Sequence, residues 1–420
     1  MPSSHPLRCP LHGSAADPET LLHPDLRSTV SQSTTSATAS SAPPDASGVV
    51  AKLSLLDRFL PVWIIAAMAV GLGLGAAAPG FGEALESFKI AGVSLPIALG
   101  LLIMMYPVLA KVRYDETATV IGDRKLIITS LLINWLLAPA FMFALAWLFL
   151  PDLPEYRTGL IIVGLARCIA MVLIWNDLAC GDREAAAVLV AINSVFQVIM
   201  FGVLGWFYLQ LLPSWLGLPT TSAEFSVVAI TVSVLVFLGI PLVAGFLTRT
   251  LGERARGRDW YEETVLPRIG PWALYGLLFT IVVLFALQGD QVLSSPLDVA
   301  RIALPLTIYF LVTFGASMLI GWLLRLGYER STTLSFTAAG NNFELAIAVS
   351  IATFGATSGQ ALAGIVGPLI EVPILVALVY VALWARRWFA TSTPAAVGAS
   401  PETPRPSPAD TPAETPERTR

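Results

Sequence analysis

The chain has 420 residues, 55% of them hydrophobic and only 13% charged, with a net charge of −4 and a mean hydropathy of +0.72. A soluble globular domain carries roughly 25% charged residues, and a larger core would not remove the need for a charged surface. Lipid therefore replaces water over much of the exterior, and the small, unclustered net charge gives no sign of a nucleic-acid partner.

Residues 1–52 are rich in Ser, Thr, Ala and Pro and read as a disordered N-terminal tail. No apolar stretch follows the early basic residue, so this start does not read as a signal peptide. Within it, His5, Cys9 and His12 are metal-ligand types at a spacing that matches no strong metal pattern. Apolar runs of about 20 residues then recur, each enough to cross a ~30 Å hydrocarbon core. They fall at 59–78, 94–110, 125–150, 158–178, 185–211, 226–248, 267–287, 301–325, 332–354 and 361–385. The short second run and the weakly polar ninth are the least regular. Residues 391–420 read as a second disordered tail. The expectation is an all-α membrane protein of ten transmembrane helices.

Loop charges test that count, because Lys and Arg accumulate in cytoplasmic loops. Lys52 and Arg58 flank the first run, Lys111, Arg113, Arg124 and Lys125 follow the second, and Arg249, Arg254, Arg256 and Arg258 follow the sixth. Arg325 and Arg330 follow the eighth, and Arg386 and Arg387 follow the tenth. The intervening loops hold one basic residue or none. The alternation predicts a multi-pass plasma-membrane protein with both termini in the cytoplasm.

The second half echoes the first at an offset of about 175 residues: Pro96-Ile97-Ala98-Leu99 falls on Pro271-Trp272-Ala273-Leu274, and Trp147 on Trp322. Similarity this weak also arises by chance in apolar sequence. A real repeat divides the chain into a five-helix unit at 53–212 and another at 225–388. An odd number of spans per unit forces opposite orientations, the plan of alternating-access transporters with a site at the midplane. The same offset sets Cys168 on Glu344, each about 10 residues from either end of its run and so roughly 15 Å deep.

Ionisable side chains at that depth are expensive and need a reason. Arg167, Glu344 and Glu371 are the three well inside the runs, leaving one negative charge that a bound proton would neutralise. Glu344, with Glu371 as the second choice, is the candidate proton carrier; the plainer reading pairs Arg167 with one carboxylate as a fixed structural ion pair. All three histidines precede residue 24, so the usual proton shuttle is missing from the runs. Three cysteines, Cys9, Cys168 and Cys180, form no disulfide framework. Cys168 follows Arg167, and a nearby cation favours thiolate; the plain alternative is a small buried hydrophobe. Soft sulfur ligands select soft centres such as trivalent arsenic and antimony, and one thiol with oxygen and amide partners can capture such a centre and release it. Gly159 and Gly164 precede Arg167-Cys168, and Gly340 precedes Asn341-Asn342. Such interruptions are tolerated at membrane depth where they line a cavity. Asn341 and Asn342 offer hydrogen bonds to hydroxyls, as do Asn193 and Gln197 one turn apart in the fifth run; interhelical hydrogen bonding is the alternative for each amide. Pro368 and Pro373 are expected to kink the tenth run around Glu371.

The segment Gly164-Leu-Ala-Arg-Cys-Ile-Ala-Met-Val-Leu-Ile-Trp-Asn-Asp-Leu-Ala-Cys-Gly-Asp182, followed by Leu189-Val-Ala-Ile-Asn-Ser-Val-Phe-Gln197, resembles the arsenite efflux permeases of the arsenical-resistance type, within the bile acid/arsenite/riboflavin transporter superfamily. Asn341-Asn-Phe-Glu-Leu-Ala-Ile-Ala-Val349 and Ile370-Glu-Val-Pro373 resemble its second-half motifs. The likeness covers residues 55–388. It implies two inverted five-helix repeats with broken, crossing fourth and ninth helices, and export of As(III), in some members Sb(III), against a proton gradient. It also places the family's essential cysteine on Cys168, its essential glutamate on Glu344 and the neighbouring arginine on Arg167.

The resulting expectation is a transporter, not an enzyme, without cofactor or metal. Its substrate residues are Cys168, Asn341, Asn342, Glu344, Arg167, Asn193 and Gln197, and its proton-coupling residues Glu344 and Glu371. Arsenite, antimonite as a second candidate, protons and the lipid bilayer are its partners. The alternative within the superfamily is a sodium-coupled organic-anion symporter. A membrane enzyme would need a catalytic constellation that spans without histidine, with polar residues at the midplane, do not supply.

Overall fold

The computed structural model describes residues 60–77, 89–90, 93–112, 123–169, 171–220, 227–294 and 296–390. Both tails, the His5–His12 segment, Lys52, Arg58 and Arg113 lie outside them. The described protein is helical, apart from a short antiparallel pair of two-residue strands, β1 (Lys89–Ile90) and β2 (Val93–Ser94), leading into the second helix.

Among the described residues six helices are long and apolar enough to cross a membrane: α3 (Arg124–Phe149), α6 (Arg183–Trp215), α7 (Val228–Arg256), α8 (Arg258–Leu287), α9 (Pro296–Leu323) and α12 (Gly359–Ala390). Each matches one of the expected long runs, and large apolar side chains such as Leu148, Ile199, Val228 and Leu251 stand on their outer faces. The protein is therefore a multi-pass membrane protein. Two shorter apolar helices, α1 (Leu60–Ala77) and α2 (Leu95–Ala110), match the first and second runs.

The fourth and ninth runs are not continuous. The fourth divides into α4 (Pro154–Leu165) and α5 (Met171–Leu178), the ninth into α10 (Tyr328–Ala339) and α11 (Phe343–Phe354). The weak hydropathy of the ninth run has a local cause. Ser331, Thr333, Ser335 and Thr337 are fully buried in α10, and each hydroxyl donates to the carbonyl four residues earlier, at 2.6–3.0 Å. A hydroxyl bonded to its own helix can be buried at reduced cost.

Four π turns, Ile133–Leu137, Phe207–Leu211, Leu235–Gly239 and Tyr261–Val265, interrupt α3, α6, α7 and α8. Each is followed two residues later by a proline: Pro139, Pro213, Pro241 and Pro267. A proline has no N–H and its ring crowds the carbonyl four residues back; widening the preceding turn relieves that clash without breaking the helix.

Two clusters of helices pack closely, and α7 links them through its contact with α11. α8 lies against α1 and α2, and α7 against α2. The second group joins α3, α4, α9, α10, α11 and α12, with α12 touching both α4 and α11. Small residues allow close approach: a Cβ at Gly159 would stand 2.5 Å from the Gln360 carbonyl oxygen, and one at Gly71 2.5 Å from that of Val282.

Candidate functional site

The helix interruptions satisfy one another. Residues 166–168 and 340–342 run antiparallel, Arg167 opposite Asn341. The Cys168 amide donates to the Gly340 carbonyl at 3.2 Å, and the Asn342 amide to the Ala166 carbonyl at 3.0 Å. Non-helical backbone can persist at membrane depth only when its polar groups are paired inside the protein, and these two breaks supply each other's partners. Glycine at 340 is required by space, since a Cβ there would stand 2.9 Å from that of Cys168. The Asn342 side chain caps α11 by accepting from the Leu345 amide at 3.1 Å, and Glu371 of α12 accepts from the Asn341 amide at 3.1 Å.

A small cavity opens at this junction, between α2 and the broken helices. Its lining includes Cys168, Asn341, Asn342, Glu344 and Glu371, with Met104, Met105 and Met171 supplying thioethers. Cys168 is a buried thiol at 3% exposure, and Glu344, in the first turn of α11, keeps partial exposure. A carboxylate at a helix N-terminus is favoured by the backbone dipoles. Both polar atoms of the Asn341 amide and the Asn342 Nδ2 are buried without a partner. Each unpaired buried polar atom costs about 1–3 kcal/mol, and a ligand with hydroxyl groups would recover that cost.

Arg167, Asn193 and Gln197 do not line this cavity. Arg167 is fully buried, its guanidinium bonded to the Tyr309 hydroxyl and to the carbonyls of Ala338 and Gly164, and, among the described residues, to no carboxylate. The expected alternative, an ion pair with Glu344 or Glu371, is thereby corrected: each carboxylate faces the cavity while the guanidinium turns back toward the helix ends. Gln197 accepts from the Arg167 amide and Asn193 from the Trp135 indole at 3.1 Å; both brace the site from α6. The three methionines were absent from the expected set, because an isolated Met in an apolar run carries no signal beyond packing. Pro368 and Pro373 lie inside a continuous α12. Among the described residues no three His, Cys, Asp or Glu side chains stand together as a metal site.

A helical membrane body with paired helix breaks beside a polar cavity defines a transporter. The family model that matches residues 98–295 is that of the sodium bile acid symporter family. An arsenical-resistance protein, Acr3, of Corynebacterium glutamicum is 64% identical over 334 residues, covering 80% of this chain and 90% of the relative. The Acr3 protein of Alkaliphilus metalliredigens is 32% identical over 351 residues, 80% of this chain and 95% of the relative. An uncharacterized transporter of Synechocystis is 33% identical over 356 residues, with 80% and 91% covered. The chain belongs to the arsenical-resistance permeases of the bile acid symporter family.

Proposed function

We propose that this protein exports arsenite from the cytoplasm in exchange for protons, and so gives arsenic resistance. The chief support is the juxtaposition of the Cys168 thiol with Glu344, Glu371 and the unpartnered amides of Asn341 and Asn342 in one cavity. The names of two relatives point to the same substrate class. Arsenous acid meets the thiol by exchange: an As–S bond forms, one As–OH bond breaks, and the hydroxyl leaves as water with the thiol proton. The remaining hydroxyls face the amides. The lining has two carboxylates and no Lys, Arg or His, which suits a neutral substrate and disfavours the organic anion of the alternative reading. Antimonite, with the same soft centre, is the second candidate.

Glu344, with Glu371 beside it, carries the exchanged proton. Proton and arsenite compete, so each lowers the affinity for the other by the same factor. Alternating access proceeds through ten spans in two inverted five-helix units, 53–212 and 225–388, in the plasma membrane with both termini cytoplasmic. The helix ends support a repeat at a slightly shorter offset, which sets Arg167 on Asn341 and Cys168 on Asn342 instead of Glu344: Phe149 and Leu323, Pro154 and Tyr328, and Leu165 and Ala339 are each 174 positions apart. The antiparallel run of the two breaks suits opposite orientations.

Everted vesicles test this reading. Wild-type arsenite uptake should require an imposed proton gradient, and Cys168→Ser and Glu344→Gln should each lose it. Normal uptake by Cys168→Ser would reduce the thiol to packing. Sodium-driven accumulation of an organic anion without arsenite uptake would replace the substrate assignment.

A further inference from the structure

Arg167 is the largest fully buried side chain among the described residues, at 0% exposure. A buried charge is tolerated where it is paired or held by several hydrogen bonds. Among the described residues no carboxylate takes that part. One terminal guanidinium nitrogen donates to the Tyr309 hydroxyl at 2.7 Å and to the Ala338 carbonyl at 3.3 Å, the other terminal nitrogen donates to the Gly164 carbonyl, and Nε is buried without a partner. Gly164 lies in the last turn of α4 and Ala338 in the last turn of α10. These are the carbonyls that a helix end leaves without an internal partner. Each helix C-terminus also carries the negative end of its dipole. Two such ends converging within the membrane, with a tyrosine oxygen beside them, form a site for a cation.

We infer that the Arg167 guanidinium is a tethered cation that fills this site, so that the transporter takes up no dissolved cation there. The chain belongs to a family described as sodium symporters, and the inference rests on the arsenite–proton reading and deepens it: with the guanidinium in place, sodium has no part at this site. Arg167 is then a positioning residue. Its charge holds the ends of α4 and α10 together, and its own backbone sits in the antiparallel pair that orients Cys168 and Asn341. Its turn away from the cavity keeps a fixed positive charge from neutralising Glu344 or Glu371.

The consequence is chemical rescue. Arg167→Ala leaves two carbonyl-bearing helix ends around a vacancy of guanidinium shape, with no positive charge inside. Purified wild type, Arg167→Ala and Arg167→Lys are compared by thermal melting in choline, sodium and millimolar guanidinium chloride, and by arsenite uptake in vesicles with the same cations. The expected result is a wild type indifferent to all three. Arg167→Ala should melt lower in choline, gain several degrees with guanidinium and recover uptake severalfold, while Arg167→Lys falls between. Three results would overturn the inference: wild-type uptake stimulated severalfold by sodium, a folded Arg167→Ala that transports at the wild-type rate in choline, or a folded Arg167→Ala unmoved by guanidinium. If Arg167→Ala does not fold, the sodium response of the wild type still decides, and Arg167→Lys supplies the graded variant. The melting arm contains no arsenite. A guanidinium-dependent rise in melting temperature alongside absent arsenite uptake would uphold the tethered cation and reject the substrate.

Discussion

Gly340 and Cys168 meet at the centre of the proposed site. Gly340 has φ −70°, which any residue adopts, so the backbone would accept alanine without strain. The conflict is one of space: the added methyl would crowd the Cys168 Cβ at 2.9 Å and its sulfur at 3.4 Å. Gly340→Ala should therefore cost about 1–3 kcal/mol of stability by overpacking and slow arsenite uptake more than it lowers expression. Melting temperature and uptake per molecule of purified protein check this; unchanged uptake would show that the thiol is not held by this contact. Glu371 invites a second comparison. It ties α12 to the break through the Asn341 amide, whereas among the described residues no hydrogen bond ties the Glu344 side chain, in the first turn of α11, to another helix. Glu371→Gln retains an acceptor for that amide, so it should keep the fold and lose less transport than Glu344→Gln. The reverse order in vesicle assays would move the proton to Glu371.

At the scale of elements, α11 shows one side chain with two duties. The Asn342 oxygen caps the helix, while its nitrogen remains unpartnered in the cavity wall. Asn342→Ser keeps a capping acceptor and removes the amide donor; Asn342→Ala removes both. A lost cap costs about 1 kcal/mol, so only the alanine variant should melt lower, while both should raise the arsenite KM. Equal KM values for serine and wild type would confine Asn342 to capping. The π turns belong to this scale as well. Pro139, Pro213, Pro241 and Pro267 sit in or just beyond four long apolar runs that hydropathy alone reads as plain helices. The widened turn two residues upstream reflects crowding between the ring and the preceding turn, which no average over apolar residues contains.

For the molecule as a whole, the cavity forms where two groups of helices face each other. The α2 wall brings Met104, Met105 and Val108 opposite Cys168 and the carboxylates. Movement of one group against the other would expose the cavity to either side in turn. Under the proposed exchange, proton and arsenite compete, so arsenite affinity should fall as pH is lowered and arsenite binding should release protons by the same linkage. Calorimetry in buffers of different ionisation enthalpy measures that release. A value of zero at every pH would remove the coupling. Met104→Leu preserves volume but not sulfur. An unchanged arsenite KM would leave the α2 thioethers as packing, and a raised one would give them a share in the soft-ligand set.

Composition and period alone determined that the chain crosses a membrane, where its long helices lie, and that Gly340 marks the break in the run holding Glu344; Gly159 and Gly164, expected to interrupt the run holding Cys168, lie inside α4, which ends only after Leu165. Those are local properties: hydropathy is summed along the chain, and a missing side chain marks its own position. Which groups meet was decided only in three dimensions. Arg167 and Cys168 are neighbours in sequence, yet the extended backbone between α4 and α5 sends one side chain to the helix ends and the other to the cavity. Glu371 and the α2 methionines reach the same cavity from distant segments. The cause is the antiparallel pairing of residues 166–168 with residues 340–342, a contact between segments too far apart for any local pattern to encode.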